Sequence, residues 1–255
     1  MTEAAELRTI AEMVARTVGG EVAMKRRGDF TWSTKSSTSD VVTEIDTWAE
    51  LAVVEQISAL RPGDGFLGEE GTDTKGSTGI RWVIDPVDGT TNLLYDIPGY
   101  SVSIAAEVDG VSVAGAVFDP VRVELFSGAV GHGATRNGDA ISVSEATDLE
   151  TALVGTGFSY LTDRRREQAV SLQFLLPAVR DIRRLGGAAL DLCAVACGRT
   201  DAFYETGLSP WDSAAGALIA AEAGAIVETG DLTWACGPGL AEAFVALLDA
   251  AKISG

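Results

Sequence analysis

The sequence predicts a mixed α/β protein whose two halves pack as one body, and three observations carry that prediction. Two stretches with apolar residues at three- and four-residue spacing open the chain, the mark of amphipathic helices. Short apolar segments separated by turn residues follow, as in a largely antiparallel sheet. After about Leu149 the pattern becomes strand–helix alternation, the signature of an α/β half. The halves are 1–148 and 149–255, with no internal repeat, low-complexity tract or obvious linker. At 255 residues, with 46% hydrophobic and 22% charged residues, the chain can bury a large core.

Leu7, Ile10, Val14, Val18 and Val22 place the first helix, despite Gly19 and Gly20. Lys35-Ser-Ser-Thr-Ser-Asp40 reads as a loop or hairpin tip. Val42, Ile45, Ala49, Val53, Ile57 and Leu60 mark a second helix, which Pro62-Gly63 stops. On that helix Asp46 lies about one turn before Glu50, where it could face solvent or a site. Phe66–Gly68 is a short strand ending in Glu69-Glu70, and the polar, glycine-rich segment 71–79 is a surface loop. Arg81–Ile84 opens a run of strands continued by Tyr100–Glu107, Val111–Phe118, Val123–Ala129 and Ile141–Val143. Asn137-Gly138, between the last two, is a strong hairpin-turn signal. In the second half, strands at Ala152–Gly155, Asp181–Arg184, Ala202–Tyr204 and Ala225–Val227 alternate with helices at Arg164–Val179, Ala188–Cys197, Ser213–Ala223 and Leu240–Ala251.

The charge balance narrows the function. With 19 basic and 37 acidic residues, the formal charge of −18 repels nucleic acid and anionic membranes. It also repels an anionic substrate, so a phosphate-bearing one needs local positive charge, which bound cations can supply. No segment approaches the roughly 18 unbroken apolar residues of a membrane span. The opening Met-Thr-Glu-Ala-Ala-Glu has neither the basic nor the apolar region of a signal peptide. Three cysteines cannot all pair internally; Cys193 and Cys197, four apart and not in a CxxC, read as buried, reduced thiols of a cytoplasmic protein. The single histidine, His132, rules out a multi-histidine metal site and argues against Ser-His-Asp or Cys-His catalysis.

Against that background the stretch Trp82-Val-Ile-Asp-Pro-Val-Asp-Gly-Thr-Thr-Asn92 stands out. Aspartates are poor strand residues, and carboxylates brought together repel unless something neutralises them. Taken alone, it fits an ordinary strand and Pro-Asp-Gly turn equally well. Yet Glu69, Asp85, Asp88, Glu205 and Asp212 all sit at ends of predicted elements, where side chains can converge. An oxygen-rich set without histidines suits hard cations, Mg²⁺ or Mn²⁺. The Asp-x-x-Asp spacing lets Asp85 bridge two ions while Asp88 completes the second, and Pro86 fixes the turn without a competing N–H. Gly89 permits close backbone approach, the amides of Gly89 and Thr90 can donate to a phosphate oxygen, and Thr90 can orient a water.

These residues resemble the inositol monophosphatases, Mg²⁺-dependent, lithium-sensitive phosphomonoesterases. Trp82–Asn92 is similar to the family's first signature, and Trp211-Asp212-Ser-Ala-Ala-Gly216 with Glu222-Ala-Gly224 to its second. Gly68-Glu69-Glu70, Val42-Thr43-Glu44-Ile45-Asp46, Gly187-Ala188-Ala189-Leu190-Asp191-Leu192-Cys193 and Tyr204-Glu205 match further segments, in order, over nearly the whole chain. The resemblance implies a five-layer αβαβα sandwich of the inositol monophosphatase/fructose-1,6-bisphosphatase type, usually a homodimer, with two or three Mg²⁺ per site, Mn²⁺ as a substitute and Li⁺ as an inhibitor. It implies that Glu69, Asp85 and the Val87 carbonyl hold the first metal, and Asp85, Asp88 and Asp212 the second. Thr90, bonded to Asp46, would deprotonate the attacking water with help from Glu69, in a direct in-line hydrolysis without a phosphoenzyme. Asp88, Gly89, Thr90 and Asp212 would also face the substrate. Glu205 and the Ala188 backbone would bind its hydroxyls with Arg184 nearby, and the Lys35 loop would be a mobile flap that helps recruit a further metal.

Two departures bear on substrate preference. Gly186-Gly187 replaces a more usual Gly-Ser or Gly-Thr, and Leu-Leu-Tyr-Asp-Ile-Pro follows Asn92 in place of a Phe-x-His-Gly-x-Pro pattern. The implied activity is hydrolysis of myo-inositol 1-phosphate, a small phosphorylated substrate. Histidinol-phosphate and fructose-1,6-bisphosphate phosphatases are the rivals within the superfamily. Thr91 argues against the first, whose members commonly carry Asp-Gly-Thr-Lys-Asn. A bisphosphate nucleotidase would usually be longer. A non-catalytic binding descendant should have lost a ligand, and Glu69, Asp85, Asp88, Thr90 and Asp212 are all present.

Overall fold

Helix α1 (Glu3–Lys25) lays Leu7, Val14, Val18 and Val22 on one face, following the predicted spacing. A two-strand hairpin, β1 (Trp32–Thr34) and β2 (Val41–Thr43), brackets the 35–40 tip. Val42 therefore belongs to a strand and not to the second helix. Helix α2 (Glu44–Leu60) begins at a capping box, in which Thr43 accepts from the Ile45 N–H at 3.1 Å and Asp46 accepts from the Thr43 N–H at 3.0 Å. Such a cap is worth about 1 kcal/mol, enough to override apolar periodicity at the helix start. The computed structural model describes residues 3–253.

Strands β3 (Gly65–Gly68), β4 (Asp73–Thr74), β5 (Ile80–Asp88), β6 (Ser101–Val108), β7 (Val111–Asp119), β8 (Glu124–Ala129), β9 (Ala134–Arg136) and β10 (Asp139–Ala140) form one sheet, with the short helix α3 (Thr90–Tyr95) between β5 and β6. Its order is β10-β9-β8-β7-β6-β5-β3-β4, antiparallel except for the β3–β5 pair. Asn137 and Gly138, both with positive φ at 52° and 87°, make the hairpin turn between β9 and β10. The turn is thus two residues long and joins Ala134–Arg136 to Asp139–Ala140, and Ile141–Val143 is not a strand. The expected turn after Ile84 is also corrected. Strand β5 runs on to Asp88, and its pairing with β6 shifts register between Asp85 and Asp88. A bulge tolerates Pro86, which has no N–H to give to the ladder, and it re-aims the two acids.

The second half adds β11 (Leu153–Thr156), α4 (Thr162–Leu175), β12 (Asp181–Arg183), α5 (Ala188–Ala196), β13 (Ala202–Thr206), α6 (Pro210–Glu222), β14 (Ile226–Glu228), β15 (Leu232–Cys236) and α7 (Ala241–Ala250), after a 3₁₀ turn at Leu149–Thr151. Strand β15, absent from the sequence reading, inserts between β13 and β14 and pairs antiparallel with both, so the sheet β12-β11-β13-β15-β14 is mixed.

The cores stack these elements in five layers, αβαβα. Helices α1 and α2 pack on one face of the larger sheet through Val14, Ile45, Val53, Trp82 and Ile104. Its other face, with Val83, Val117 and Phe126, meets α5 and α6 at Cys193, Ala215 and Ile219. Leu192, Val195 and Ala217 of the same helices pack on Phe203 and Ala235 of the smaller sheet. Its far face is covered by Leu175 of α4 with Phe244 and Leu248 of α7. Cys193, Cys197 and Cys236 are free thiols, Cys193 and Cys236 buried. No helix among the described residues is long and apolar enough to cross a membrane.

Candidate active site

The end of β5, the start of α6 and the loop after β3 meet beside α5, and each brings acids. Glu69, Asp85, Val87, Asp88, Gly89, Thr90 and Asp212 line one basin of about 290 Å³, together with Lys35 and Tyr160. Asp88, Gly89 and Asp212 are shared with a second basin of about 140 Å³, where Arg184, Ala188 and Glu205 stand. Asp46 lines neither. It is buried behind Thr90, whose hydroxyl lies 2.8 Å from Asp46 Oδ1 and 3.0 Å from the Val87 carbonyl. The hydroxyl has one proton and two acceptors, so it can turn between them.

Backbone N–H groups fix one oxygen of each of Asp85, Asp88 and Asp212. Asp85 Oδ1 accepts from the Val87 N–H at 3.1 Å, and Asp88 Oδ2 from the Ala189 N–H of α5 at 2.8 Å. Asp212 Oδ2 accepts from the Ser209 N–H at 2.6 Å, in the capping box that opens α6. Asp46 does the same for α2, one oxygen on Thr43 and the other on Thr90. Gly89, at φ +86, turns the chain from β5 into α3, and a Cβ there would stand 2.7 Å from the Gly99 carbonyl. A side chain at that position is excluded on both counts.

The acids are crowded. Burial, then the charges of Glu69, Asp88 and Asp212, hold the Asp85 carboxyl well above its ordinary range. Burial pushes Asp88 and Asp212 up to about 7, with neighbouring carboxylates adding to it and backbone N–H donors opposing. Asp46 is raised as well, by burial first, against the hydrogen bonds from Thr43 and Thr90. Glu205 is pushed up to about 7 by burial, with Arg184 opposing. The cation at the larger basin is Lys35, 3.0 Å from Glu69 Oε1 and 2.5 Å from Glu70 Oε1. Burial draws its ammonium down, but the charges and hydrogen bonds of those two glutamates outweigh this and leave it raised.

This donor set fits a hard divalent cation. It is made of carboxylate oxygens and one backbone carbonyl, and its mutual repulsion is relieved by positive charge. Among the described residues no group of three or more His, Cys, Asp or Glu side chains is placed to hold a metal ion as it stands. Mg²⁺ does not require such a group, because it keeps several waters and binds through one or two carboxylates and substrate phosphate.

The sequence reading missed several contributors. Tyr160 lines both basins, and its carbonyl accepts from the Ser37 and Ser39 hydroxyls at 3.3 Å, so the hairpin tip docks across the cleft. Asn92 donates to the Gly99 and Leu185 carbonyls at 2.9 and 2.7 Å, tying α3 to the segment that carries Arg184. Glu50, only 3% exposed, accepts from the N–H groups of Glu70 and Thr72 at 2.7 and 2.9 Å and so sets the loop that presents Glu69. Only Glu50 had a signal: a charge on the buried stripe of α2, in line with Asp46.

Gly68 leaves room for that carboxylate, since a Cβ would fall 2.3 Å from Glu50 Oε2. Gly68→Ala is expected to free both loop amides, at about 1–3 kcal/mol for buried groups left unpaired. Thermal unfolding should show a midpoint lower by at least about 2–4 °C. An unchanged midpoint would show that the Glu50 bonds do not hold the loop.

Comparison with known proteins bears on the sequence and the fold. The profile of the inositol monophosphatase family matches residues 3–244. An inositol-1-monophosphatase of Mycobacterium leprae is 44% identical over 271 aligned residues, covering 95% of this chain and 93% of the relative. A protein named Nus factor SuhB from Pasteurella multocida is 42% identical over 222, covering 86% and 83%. The structure of Mycobacterium tuberculosis SuhB superposes with a TM-score of 0.86 at 40% identity, covering 98% of both chains.

Proposed function

The chain belongs to the inositol monophosphatase family, and on that premise we propose that it hydrolyses a small phosphomonoester, myo-inositol 1-phosphate foremost, by direct in-line attack of water. The observation that carries the reading is the crowding of the Asp85, Asp88 and Asp212 carboxyl groups with Glu69 in one basin, beside a Thr90 hydroxyl 2.8 Å from Asp46.

Glu69, Asp85 and the Val87 carbonyl would hold one Mg²⁺, and Asp85, Asp88 and Asp212 another. When bound, these ions supply the positive charge that lets an acidic site accept phosphate, ease deprotonation of water and stabilise the leaving alkoxide. Thr90 fixes the attacking water and passes a proton towards Asp46, whose raised affinity for protons suits an acceptor. Glu69, which lines the same basin, assists. The Gly89 and Thr90 amides face the phosphate, while Glu205 and the Ala188 backbone receive the hydroxyls of the leaving group beside Arg184. The same reading includes a third ion recruited near the Lys35 hairpin, substitution by Mn²⁺, inhibition by Li⁺, a homodimer and a cytoplasmic setting.

Relatives named as Nus factors favour a second, non-enzymatic reading. The complete acid set favours the enzyme. Phosphate release with Mg²⁺ separates the two, and a panel of inositol 1-phosphate, histidinol phosphate, fructose 1,6-bisphosphate and glycerol 2-phosphate ranks the substrates. The expected result is Mg²⁺-dependent release with the inositol ester ahead. No release from any of the four would sink the enzymatic reading.

A further inference from the structure

Asp191, in the first turn of α5, is 2% exposed, yet among the described residues no hydrogen bond reaches its carboxyl group, and Oδ1 is buried without a partner. Folded proteins pair nearly all their buried polar atoms, so an unpaired carboxyl oxygen requires an explanation. The field of the helix N-terminus favours a negative charge there but supplies no bond to it. The Ala189 N–H, which a carboxylate could use, goes to Asp88 Oδ2 at 2.8 Å.

The carboxyl group occupies space that two glycines leave open. Gly155 and Gly157 stand two residues apart along and just beyond β11, so the side chains they lack would point to one face. A Cβ on Gly155 would lie 3.2 Å from Asp191 Oδ1, and one on Gly157 would lie 2.0 Å from Glu205 Oε2. Carboxyl groups from α5 and β13 thus fill neighbouring slots on the same strand face. Both border the basin of about 140 Å³ that Asp88 joins to the acid-lined one. Two adjacent carboxyl groups repel a phosphate, but they match two adjacent O–H donors.

We propose that Asp191 is a specificity-determining residue which, paired with Glu205, accepts the hydroxyls of a vicinal diol in the leaving group. The inference rests on the phosphomonoesterase reading and adds Asp191 to the residues that receive the leaving group's hydroxyls. An aryl ester offers no such donors, so the pair contributes nothing to its binding.

The test compares myo-inositol 1-phosphate with p-nitrophenyl phosphate in the wild type, Asp191→Ala and Asp191→Asn. Asp191→Ala should raise KM for the inositol ester at least about tenfold with a smaller change in kcat, as for loss of a charged hydrogen bond. The ratio of the two kcat/KM values should fall by the same factor. Asp191→Asn, which keeps an accepting oxygen in place, should recover part of it. An unchanged ratio overturns the proposal. So does an equal loss on both esters, which would assign Asp191 to the fold. Calorimetric titration with free myo-inositol, phosphate present, gives a readout independent of turnover. Binding to the wild type that is lost in Asp191→Ala supports the site, even if neither ester is hydrolysed and the phosphatase reading itself falls. Binding retained by the variant, or absent from the wild type, overturns it.

Discussion

Asp88→Asn is expected to abolish phosphate release while leaving the chain folded. The amide oxygen of asparagine can take over the bond from the Ala189 N–H, now 2.8 Å long. What disappears is one negative charge shared between the two basins. If that charge holds a cation against substrate phosphate, kcat/KM should fall at least about a thousandfold, on the order of 4 kcal/mol of transition-state stabilisation. The same change removes a like charge from a crowded site, so the cation-free variant should unfold at a higher temperature than the wild type at pH 8. Steady-state kinetics at saturating Mg²⁺ and a melting curve with chelator test the two halves. Wild-type turnover would remove Asp88 from the metal set, and a lowered melting point would show that the carboxylate serves the fold.

The second large effect is a reversed pH dependence of stability. Asp88, Asp212 and Glu205 are pushed up to about 7 in the folded chain, burial being the first cause. In the unfolded chain such groups titrate near 4. Between about pH 4 and pH 7 the folded form therefore binds more protons, and its stability rises as pH falls through that window. Glu124 and Asp181, lowered by hydrogen bonds from Arg199 and Arg183, lose their stabilising effect only at more acidic pH. With chelator present, the unfolding midpoint should be higher at pH 5.5 than at pH 8. Mg²⁺ at a hundred times its Kd should add about 2.7 kcal/mol at pH 8, and less at pH 5.5, where protons compete for the same oxygens. A flat profile, or equal stabilisation at both pH values, would mean that the acids do not act as one charge-coupled group.

Much of this protein is legible in one dimension because its signals are local. Spacing places α1 and most of α2, since a helix exposes its apolar period directly. Asn137-Gly138 announces a turn because both residues adopt positive φ, at 52° and 87°. The errors have local physical causes as well. Val42 continues the apolar period of α2, but the Thr43–Asp46 cap starts the helix after it. Strand β5 passes through Pro86 because a bulge absorbs the missing donor. Strand β15 carries Thr and Trp where the sequence shows no clear alternation, and only its place between β13 and β14 makes it a strand.

The site divides in the same way. The sequence by itself determined the kinds of atom available: many carboxylates, one histidine, and glycines and threonines beside the acids. That inventory suits a hard cation, because donor chemistry belongs to residue type; the phosphate ester is what the family resemblance implies. Only the tertiary structure decided which backbone N–H groups hold Asp85, Asp88 and Asp212. It also decided that Glu50 positions the Glu69 loop, that Tyr160 holds the hairpin tip and that Asp191 stands unpaired beside Glu205. Some of these contacts join segments more than a hundred residues apart, such as Asp88 with Ala189 and Ser37 with Tyr160. Burial and partnership are properties of the packed whole, and no spacing along the chain encodes them.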